Sequence, residues 1–213
     1  MPARNAPLSP RKRPVQRRSE RTVETILTAA ARVFAQRGYA GGTTNHIAAR
    51  AGVSVGSLYE YFPNKDALLV ALMERHLEES ETLLSTTLSS VFPSDGTLPP
   101  LRLLVQALVD SAVRLHADSP RLHRVLFEEA PRPPRIKKRL EALEASLCEG
   151  VASLLSIHPE VRAPSPSVAA AMVVRTVESL THRAVLDDLL TPELPREMTR
   201  MLCAYLTAEG PTD

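Results

Sequence analysis

The sequence predicts an all-α protein of about nine helices. Helix-forming residues dominate its 213 positions, with Leu, Ala, Glu and Arg the most prominent, and 44% of the chain is hydrophobic. Apolar residues recur at helical spacing in segments that Pro and Gly separate. The chain lacks the alternation of apolar and polar residues, and the hairpin turns, that are typical of strands. A chain of this length can bury one large core or two modest ones.

Charge is distributed unevenly within a net charge of +2. Residues 1–65 contain 11 Lys or Arg and three acidic residues, whereas residues 66–213 contain 15 basic and 21 acidic residues. This division favours a protein that binds DNA at one end, although a charge run alone is usually just a solvated surface. No apolar run is long enough to span a membrane, and the N-terminus lacks the apolar segment of a secretion signal. We therefore expect a cytoplasmic protein with no membrane partner.

A basic arm is predicted over residues 1–18. Four prolines and seven basic residues occur by position 21, with almost no apolar content, which predicts disorder in solution. Two interpretations of this arm are open. It is either a solvated tail or a segment that lies along DNA phosphates or enters the minor groove.

Three helices are predicted in the next part of the chain. The first covers residues 22–37, where apolar side chains repeat at helical spacing before Gly38 stops the helix. Two shorter helices follow, with Thr43 and Ser54 as their candidate N-caps. Gly52 stands between them, where a helix C-terminus favours the left-handed conformation that glycine adopts without steric cost.

The two shorter helices and their glycine turn fit within about 20 residues, which is the helix-turn-helix pattern. In that pattern the second helix enters the major groove of DNA. Leu58 and Phe62 form its inward pair, which leaves Val55 and Tyr59 on the exposed face. Gly56 costs about 0.5–1 kcal/mol relative to Ala inside a helix, and a close approach to another surface would explain why it is tolerated. On spacing alone, a small helical hairpin with another role is the alternative.

This region resembles the DNA-binding domain of the TetR family of transcriptional repressors. Residues that match the family pattern in register are Phe34, Gly38, Tyr39, Thr43, Ile47, Ala48, Ala51, Gly52, Val53, Ser54, Gly56, Ser57, Leu58, Tyr59, Tyr61, Phe62 and Lys65. Two positions depart mildly from the pattern or leave it open. His46 stands where a Glu often completes a capping box, which predicts a weaker helix start. Asn45 occupies a position that in some members reads a base.

The resemblance implies a helix-turn-helix domain over residues 19–65 that binds double-stranded operator DNA. Several of its side chains can donate to phosphate oxygens, and others cap or line the second helix. The predicted DNA-binding residues are Thr43, Thr44, Asn45, Ser54, Val55, Gly56, Ser57, Tyr59, Tyr61 and Lys65.

A helical regulatory and dimerisation domain is predicted over residues 66–213. It begins within a long uninterrupted helix, and its predicted helices cover residues 65–91, 101–117, 120–129, 136–156, 167–190 and 192–208. The last two are unusually apolar, and the resemblance implies that they form a dimer interface. Core packing within one chain is the alternative. The predicted interface residues are Val173, Val177, Leu180, Met198, Leu202 and Tyr205.

The family's usual arrangement also implies a homodimer that binds a palindromic operator, most often as a repressor, and is released by a small-molecule effector. The effector would occupy a cavity beside the long helix, whose tilting would change the separation of the two DNA-binding heads. Ordinary core packing is the alternative role for each candidate lining residue. These candidates are Met73, Leu77, Leu104, Leu108, Phe127, Leu143, Leu147, Met172 and Thr176.

Catalytic and metal-binding patterns are absent from the sequence. The two cysteines are single, the histidines are scattered, and there is no phosphate loop, nucleophile elbow or zinc spacing. We therefore expect neither an enzyme nor a cofactor. The contending class is a helical small-molecule carrier or enzyme with a silent DNA head. Arg175, Glu178 and His182 share a helical face, and a pocket, a dimer contact and pairing in solvent are all open roles for them.

Overall fold

A computed structural model of the chain describes residues 17–117, 119–187 and 189–209. Within these ranges the chain forms nine α-helices and one π-helical segment, with no β-strand. The all-α prediction is therefore confirmed. The basic arm predicted at residues 1–18 lies almost wholly outside the described residues, and none of the described helices is both long and apolar enough to cross a membrane.

In chain order the helices are α1 (Arg17–Gly41), α2 (Thr44–Ala51), α3 (Val55–Tyr61), α4 (Lys65–Val91), α5 (Leu101–Ala117), α6 (Pro120–Arg124), α7 (Pro134–Ile157), α8 (Pro166–Leu186) and α9 (Leu194–Thr207). The π-helical segment Val125–Glu129 follows α6 directly. The bounds of α4 and α5 agree with the sequence prediction. By contrast, α8 ends four residues earlier than predicted, because the Leu189 N–H turns back to the Ala184 carbonyl at 2.8 Å and closes the helix end.

The chain forms two compact units, whose division differs from the predicted domain boundary after residue 65. The first unit extends to Leu77 and also includes Ser119–Lys137, whereas the second comprises Glu78–Asp118 and the chain from Lys138 onward. A three-helix head alone is too small to bury a sufficient core. The start of α4 supplies the missing apolar surface, since every residue from position 67 to 73 is buried.

The core of the first unit consists mainly of large apolar side chains from α1 to α4. Each contributes about 1.5–3 kcal/mol through its removal from water. Among α1 to α4 the side chains that are almost wholly inaccessible are Ile26, Phe34, Ile47, Leu58, Phe62, Leu68, Leu69, Leu72 and Met73, and the segment Ser119–Lys137 adds Leu126 and Ile136. Leu58 and Phe62 thus form the inward pair of α3 that the sequence predicts.

In the second unit α5 packs against α8 and α9. The buried core residues of this unit are Leu101, Val105, Leu108, Val109, Leu155, Ala169, Ala170, Val173, Val177, Met198, Leu202 and Leu206. The loop after α7 fixes two helix ends in this core. The carboxylate of Glu160 accepts from the Leu101 N–H at 3.0 Å, and the Arg162 N–H donates to the Leu206 carbonyl at 2.8 Å. An acidic side chain at the start of α5 is favourable because the first N–H groups of a helix lack intrahelical partners.

Candidate nucleic-acid interface

Both short helices of the first unit are capped by the side chains that the sequence predicts. The Thr43 hydroxyl accepts from the His46 N–H at 3.3 Å, and the Ser54 hydroxyl accepts from the Ser57 N–H at 3.0 Å. Gly52 ends α2 in the left-handed conformation, with φ 67° and ψ 28°. The turn between α2 and α3 is therefore fixed by local chemistry, as the helix-turn-helix pattern requires.

His46 takes part in the start of α2 although it replaces the Glu of a capping box. Its Nδ1 lies 3.0 Å from the Thr43 hydroxyl oxygen and 3.2 Å from the Gly41 carbonyl oxygen. A protonated Nδ1 donates to these oxygens, so the ring folds back over the preceding turn. The imidazole thus forms hydrogen bonds around the cap where a weaker helix start was predicted.

The outward face of α3 is accessible and partly apolar. Val55 and Tyr59 are 37% and 40% exposed, while Leu58 on the opposite face is completely buried. A methyl group at Gly56 would meet only the Ser54 hydroxyl oxygen, at 3.7 Å. The chain itself therefore leaves the space above Gly56 open, and a close approach of another molecule to this backbone is sterically allowed.

Tyrosine hydroxyls connect α3 to the helices before it. The Tyr59 and Thr44 hydroxyl oxygens are 3.1 Å apart, which joins the middle of α3 to the first residue of α2. The Tyr61 hydroxyl lies 3.0 Å from the Ser19 hydroxyl in α1. These two tyrosines hold α3 in place, and Tyr59 keeps its hydroxyl at the exposed side of the unit.

The start of α4 is anchored on Tyr39. The Lys65 ammonium donates to the Tyr39 carbonyl at 3.0 Å and lies 3.7 Å from the centroid of its ring. The Tyr39 hydroxyl donates to the Asp66 carboxylate at 2.7 Å. This hydrogen bond, together with burial and the nearby negative charge of Asp66, raises the pKa of Tyr39 to about 12. Lys65 therefore has a structural role, and two of its three N–H donors remain for an anion.

The second unit contains a cavity of about 320 Å³ with predominantly apolar walls. Helices α4, α5 and α7 supply most of the lining. The lining residues are Glu81, Leu84, Ser85, Leu88, Leu101, Leu104, Val105, Leu108, Leu143, Ser146, Leu147, Gly150, Val151, Leu154, Leu155, His158, Val173 and Leu206. Its size and apolar character are typical of sites for small molecules.

Two family models match the parts of the chain that carry these features. The model for bacterial regulatory proteins of the tetR family matches residues 26–72, which include α2 and α3. The model for the tetracyclin repressor-like C-terminal domain matches residues 100–206, about half of the chain. The chain belongs to the TetR family of transcriptional regulators. Members of this family are transcriptional regulators and not enzymes, which agrees with the class that the sequence predicts.

This TetR-family protein spans less than two thirds of one curated relative, SlmA, and most of another, UidR. It is 31% identical to the nucleoid occlusion factor SlmA of Haemophilus influenzae (strain PittGG) over 62% of its own length, and the match spans 59% of SlmA. It is 26% identical to the transcriptional regulator UidR of Escherichia coli (strain K12), over 86% of this chain and 89% of UidR. The solved complex of SmeT with triclosan is 26% identical and superposes with a TM-score of 0.62, covering 91% of this chain and 95% of SmeT.

The cavity contains some of the residues predicted for an effector pocket of this TetR-family protein, but not others. Leu104, Leu108, Leu143 and Leu147 line it. The remaining five candidates do not: Met73, Leu77, Phe127, Met172 and Thr176. Met73 and Leu77 are buried in the first unit, and Met172 is 49% exposed. The sequence prediction was wrong for these residues because helical spacing alone does not reveal which core a side chain enters. The second half of α4 and the middle of α7 supply lining residues that the sequence interpretation did not name.

The predicted dimer interface needs correction at four of its six positions. Val173, Val177, Met198 and Leu202 are at most 4% exposed and belong to the core of their own chain. Their burial agrees with the alternative of core packing, and the dimer interface itself stays a prediction. Leu180 and Tyr205 are accessible, and other exposed apolar residues of α8 and α9 are Val168, Met172 and Met201.

Among the polar residues on α8, Arg175 pairs across to another helix. Its Nε donates to the Glu144 carboxylate of α7 at 2.7 Å, and its side chain is 69% exposed. His182 Nδ1 lies 3.9 Å from the Glu178 carboxylate. None of the three residues Arg175, Glu178 and His182 lines the cavity. Arg175 thus forms a solvent-exposed ion pair, a kind of contact that contributes little to stability.

Proposed function

We propose that this TetR-family protein is a cytoplasmic homodimeric repressor that binds a palindromic operator and is released when a small apolar molecule enters its cavity. One observation carries the proposal: a single helix, α4, follows the helix-turn-helix in the chain and also lines the cavity. It begins at Lys65, directly after the helix-turn-helix, and its second half contributes Leu84 and Leu88 to the cavity wall. A ligand that shifts α4 would therefore change the position of the DNA-binding head.

DNA recognition is assigned to α3 and the start of α2. The exposed Val55, Gly56 and Tyr59 form the face that we place in the major groove, where a recognition helix reads base edges. Thr44 and Lys65 are placed at phosphates, which fix the orientation of the protein without reading sequence. Operator DNA is the expected partner of this surface. The roles of Thr43 and Ser54 as caps are compatible with contacts to DNA, because both side chains are exposed.

A second copy of the chain is assigned to the accessible side of α8 and α9. We call this surface the α8–α9 patch and define it by Met172, Leu180, Met201 and Tyr205, which are 36–49% exposed. The two helices present one continuous patch, since the Tyr205 hydroxyl donates to the Met172 sulfur at 3.2 Å. Contiguous exposed apolar surface marks protein interaction sites, and a two-fold partner supplies the second half-site reader.

Apolar effectors are assigned to the cavity because thirteen of its eighteen lining residues are Leu or Val. The complex of SmeT with triclosan supports an effector of this kind, since SmeT has a similar fold over nearly the whole chain. Removal of apolar ligand surface from water contributes about 25 cal/mol per Å².

The proposed function is tested by titrating the full chain onto DNA from upstream of its own coding sequence, with and without triclosan. We expect specific binding that triclosan weakens, and operator DNA should weaken triclosan binding by the same factor because the coupling is reciprocal. Typical couplings of about 1–3 kcal/mol correspond to factors of about 5–150. Ligand binding without any DNA binding would favour the small-molecule carrier, and ligand binding that operator leaves unchanged would contradict release.

Lys65→Ala should weaken binding to all DNA sequences alike, because one phosphate contact is lost. It should also reduce by about one the salt slope, which is the steepness with which the logarithm of the binding constant falls with the logarithm of salt concentration. The measurement is operator affinity by fluorescence anisotropy across a series of salt concentrations. Lys65→Arg is the matched control, since it keeps the charge and should keep the slope. If Lys65 only anchors Tyr39, Lys65→Ala will lower the melting temperature while the salt slope stays unchanged.

A further inference from the structure

The charge that lines the cavity is negative. Glu81 is the single ionic side chain among the eighteen described residues of the lining, which include no Lys or Arg. His158 directs both ring nitrogens to backbone groups: its Nδ1 accepts from the Glu160 N–H at 3.3 Å, and its Nε2 lies 3.0 Å from the Pro99 carbonyl oxygen. A ligand carboxylate inside this cavity would therefore be buried without a cationic partner, which is strongly unfavourable.

Three of the four polar lining residues are exposed, and the fourth, His158, is buried with both ring nitrogens facing backbone groups. Glu81, Ser85 and Ser146 are exposed, whereas Leu101 and Leu206 are almost completely buried. The accessible edge of the cavity is therefore polar, and its interior is apolar. A ligand with one polar end and one apolar body satisfies both parts when its polar end lies beside Glu81.

Arg139 lies near Glu81 but does not pair with it alone. The two Nη atoms of Arg139 face separate carboxylates, at 3.5 Å from Glu78 and 3.4 Å from Glu81. These distances exceed the roughly 2.7–2.9 Å of strong charge-assisted hydrogen bonds. The carboxylates are also well exposed, with 65% and 45% of the Glu78 and Glu81 side chains accessible. One guanidinium thus faces two carboxylates, and the rim has an excess negative charge.

We propose that the effectors of this cavity are single-tailed apolar molecules with a cationic end, such as an ammonium group, that Glu81 binds at the rim. This inference rests on the proposed function for the assignment of the cavity as the effector site, and it adds the ligand's charge and orientation. Charge complementarity with Glu81 selects the cationic end. The Leu-rich interior selects the apolar tail.

Calorimetry of the full chain with three probes of equal tail length tests the proposal: decyltrimethylammonium, decanol and decanoate. We expect affinity to fall in that order. Glu81→Gln should lower the affinity for decyltrimethylammonium about fivefold, the value of a half-exposed ion pair, and leave decanol unchanged. Glu141→Gln is the matched control, because it removes the same charge from an exposed position on α7 outside the lining and should change none of the three affinities.

Val151→Trp should fill the cavity and abolish binding of all three probes, and circular dichroism establishes whether the variant is folded. If Val151→Trp does not fold, Leu147→Phe serves the same purpose with a smaller increase in side-chain volume. Stronger binding of decanoate, an unchanged ammonium affinity in Glu81→Gln, or no binding of any probe would overturn the proposal. Operator release is measured separately. Ammonium binding through Glu81 without release would support the ligand class while contradicting the regulatory function.

Discussion

Gly42→Ala is expected to destabilise the first unit by about 3 kcal/mol, the upper part of the usual range for overpacked sites. A Cβ at this position would lie 2.4 Å from Cδ1 of Phe34 and 2.9 Å from the Gly38 carbonyl oxygen. Phe34 is completely buried, so its ring has no free space into which to move. Thermal melting followed by circular dichroism should show a midpoint lowered by about 10 °C. Operator binding should be lost over the same temperature interval.

Gly56→Ala is the matched control, because it adds the same methyl group where the chain leaves space. Inside a helix this change should raise stability by about 0.5–1 kcal/mol. If α3 approaches DNA closely at Gly56, operator affinity should fall although the protein is more stable. A melting temperature for Gly42→Ala equal to that of the unaltered protein would show that Phe34 can move, and would contradict the packing argument.

Met172→Glu is expected to convert the proposed dimer into a folded monomer that no longer binds the operator. Met172 is 49% exposed and contacts Tyr205 within the α8–α9 patch, so Glu is solvated in the single chain. In a dimer the carboxylate would be buried without a partner, which costs several kcal/mol. Sedimentation velocity measures the change in mass, and circular dichroism should show an unchanged helical spectrum.

Val173→Glu, at the neighbouring position, should give a different result. Val173 is 2% exposed within its own chain, and a carboxylate there should unfold the second unit and not merely separate two folded chains. The pair of variants thus distinguishes an interface position from a core position on the same helix. Sedimentation as an intact dimer by both Met172→Glu and Tyr205→Glu would contradict the α8–α9 patch as the interface.

The all-α class, the bounds of α4 and α5, and the caps and turn of the helix-turn-helix follow from residue types and their spacing. These features depend on interactions between residues close in the chain. Thr43 and Ser54 cap helices that begin beside them, and Gly52 ends one through its own backbone freedom. Local rules of this kind act on a few consecutive residues, so their results can be predicted from the order of residue types.

Which apolar surfaces meet is visible only in the folded chain. Helical spacing marks an apolar stripe on α8, but the hydrophobic effect is non-directional. The stripe therefore does not reveal that Val173 faces its own core while Met172 faces outward. The requirement for glycine at position 42 arises from a ring that the returning chain brings beside it. The cavity, likewise, is the space that packed helices leave unfilled. Glu81 lines its rim, although no local sequence pattern marks that residue. Such features depend on contacts between distant segments, and these exist only once the chain has folded.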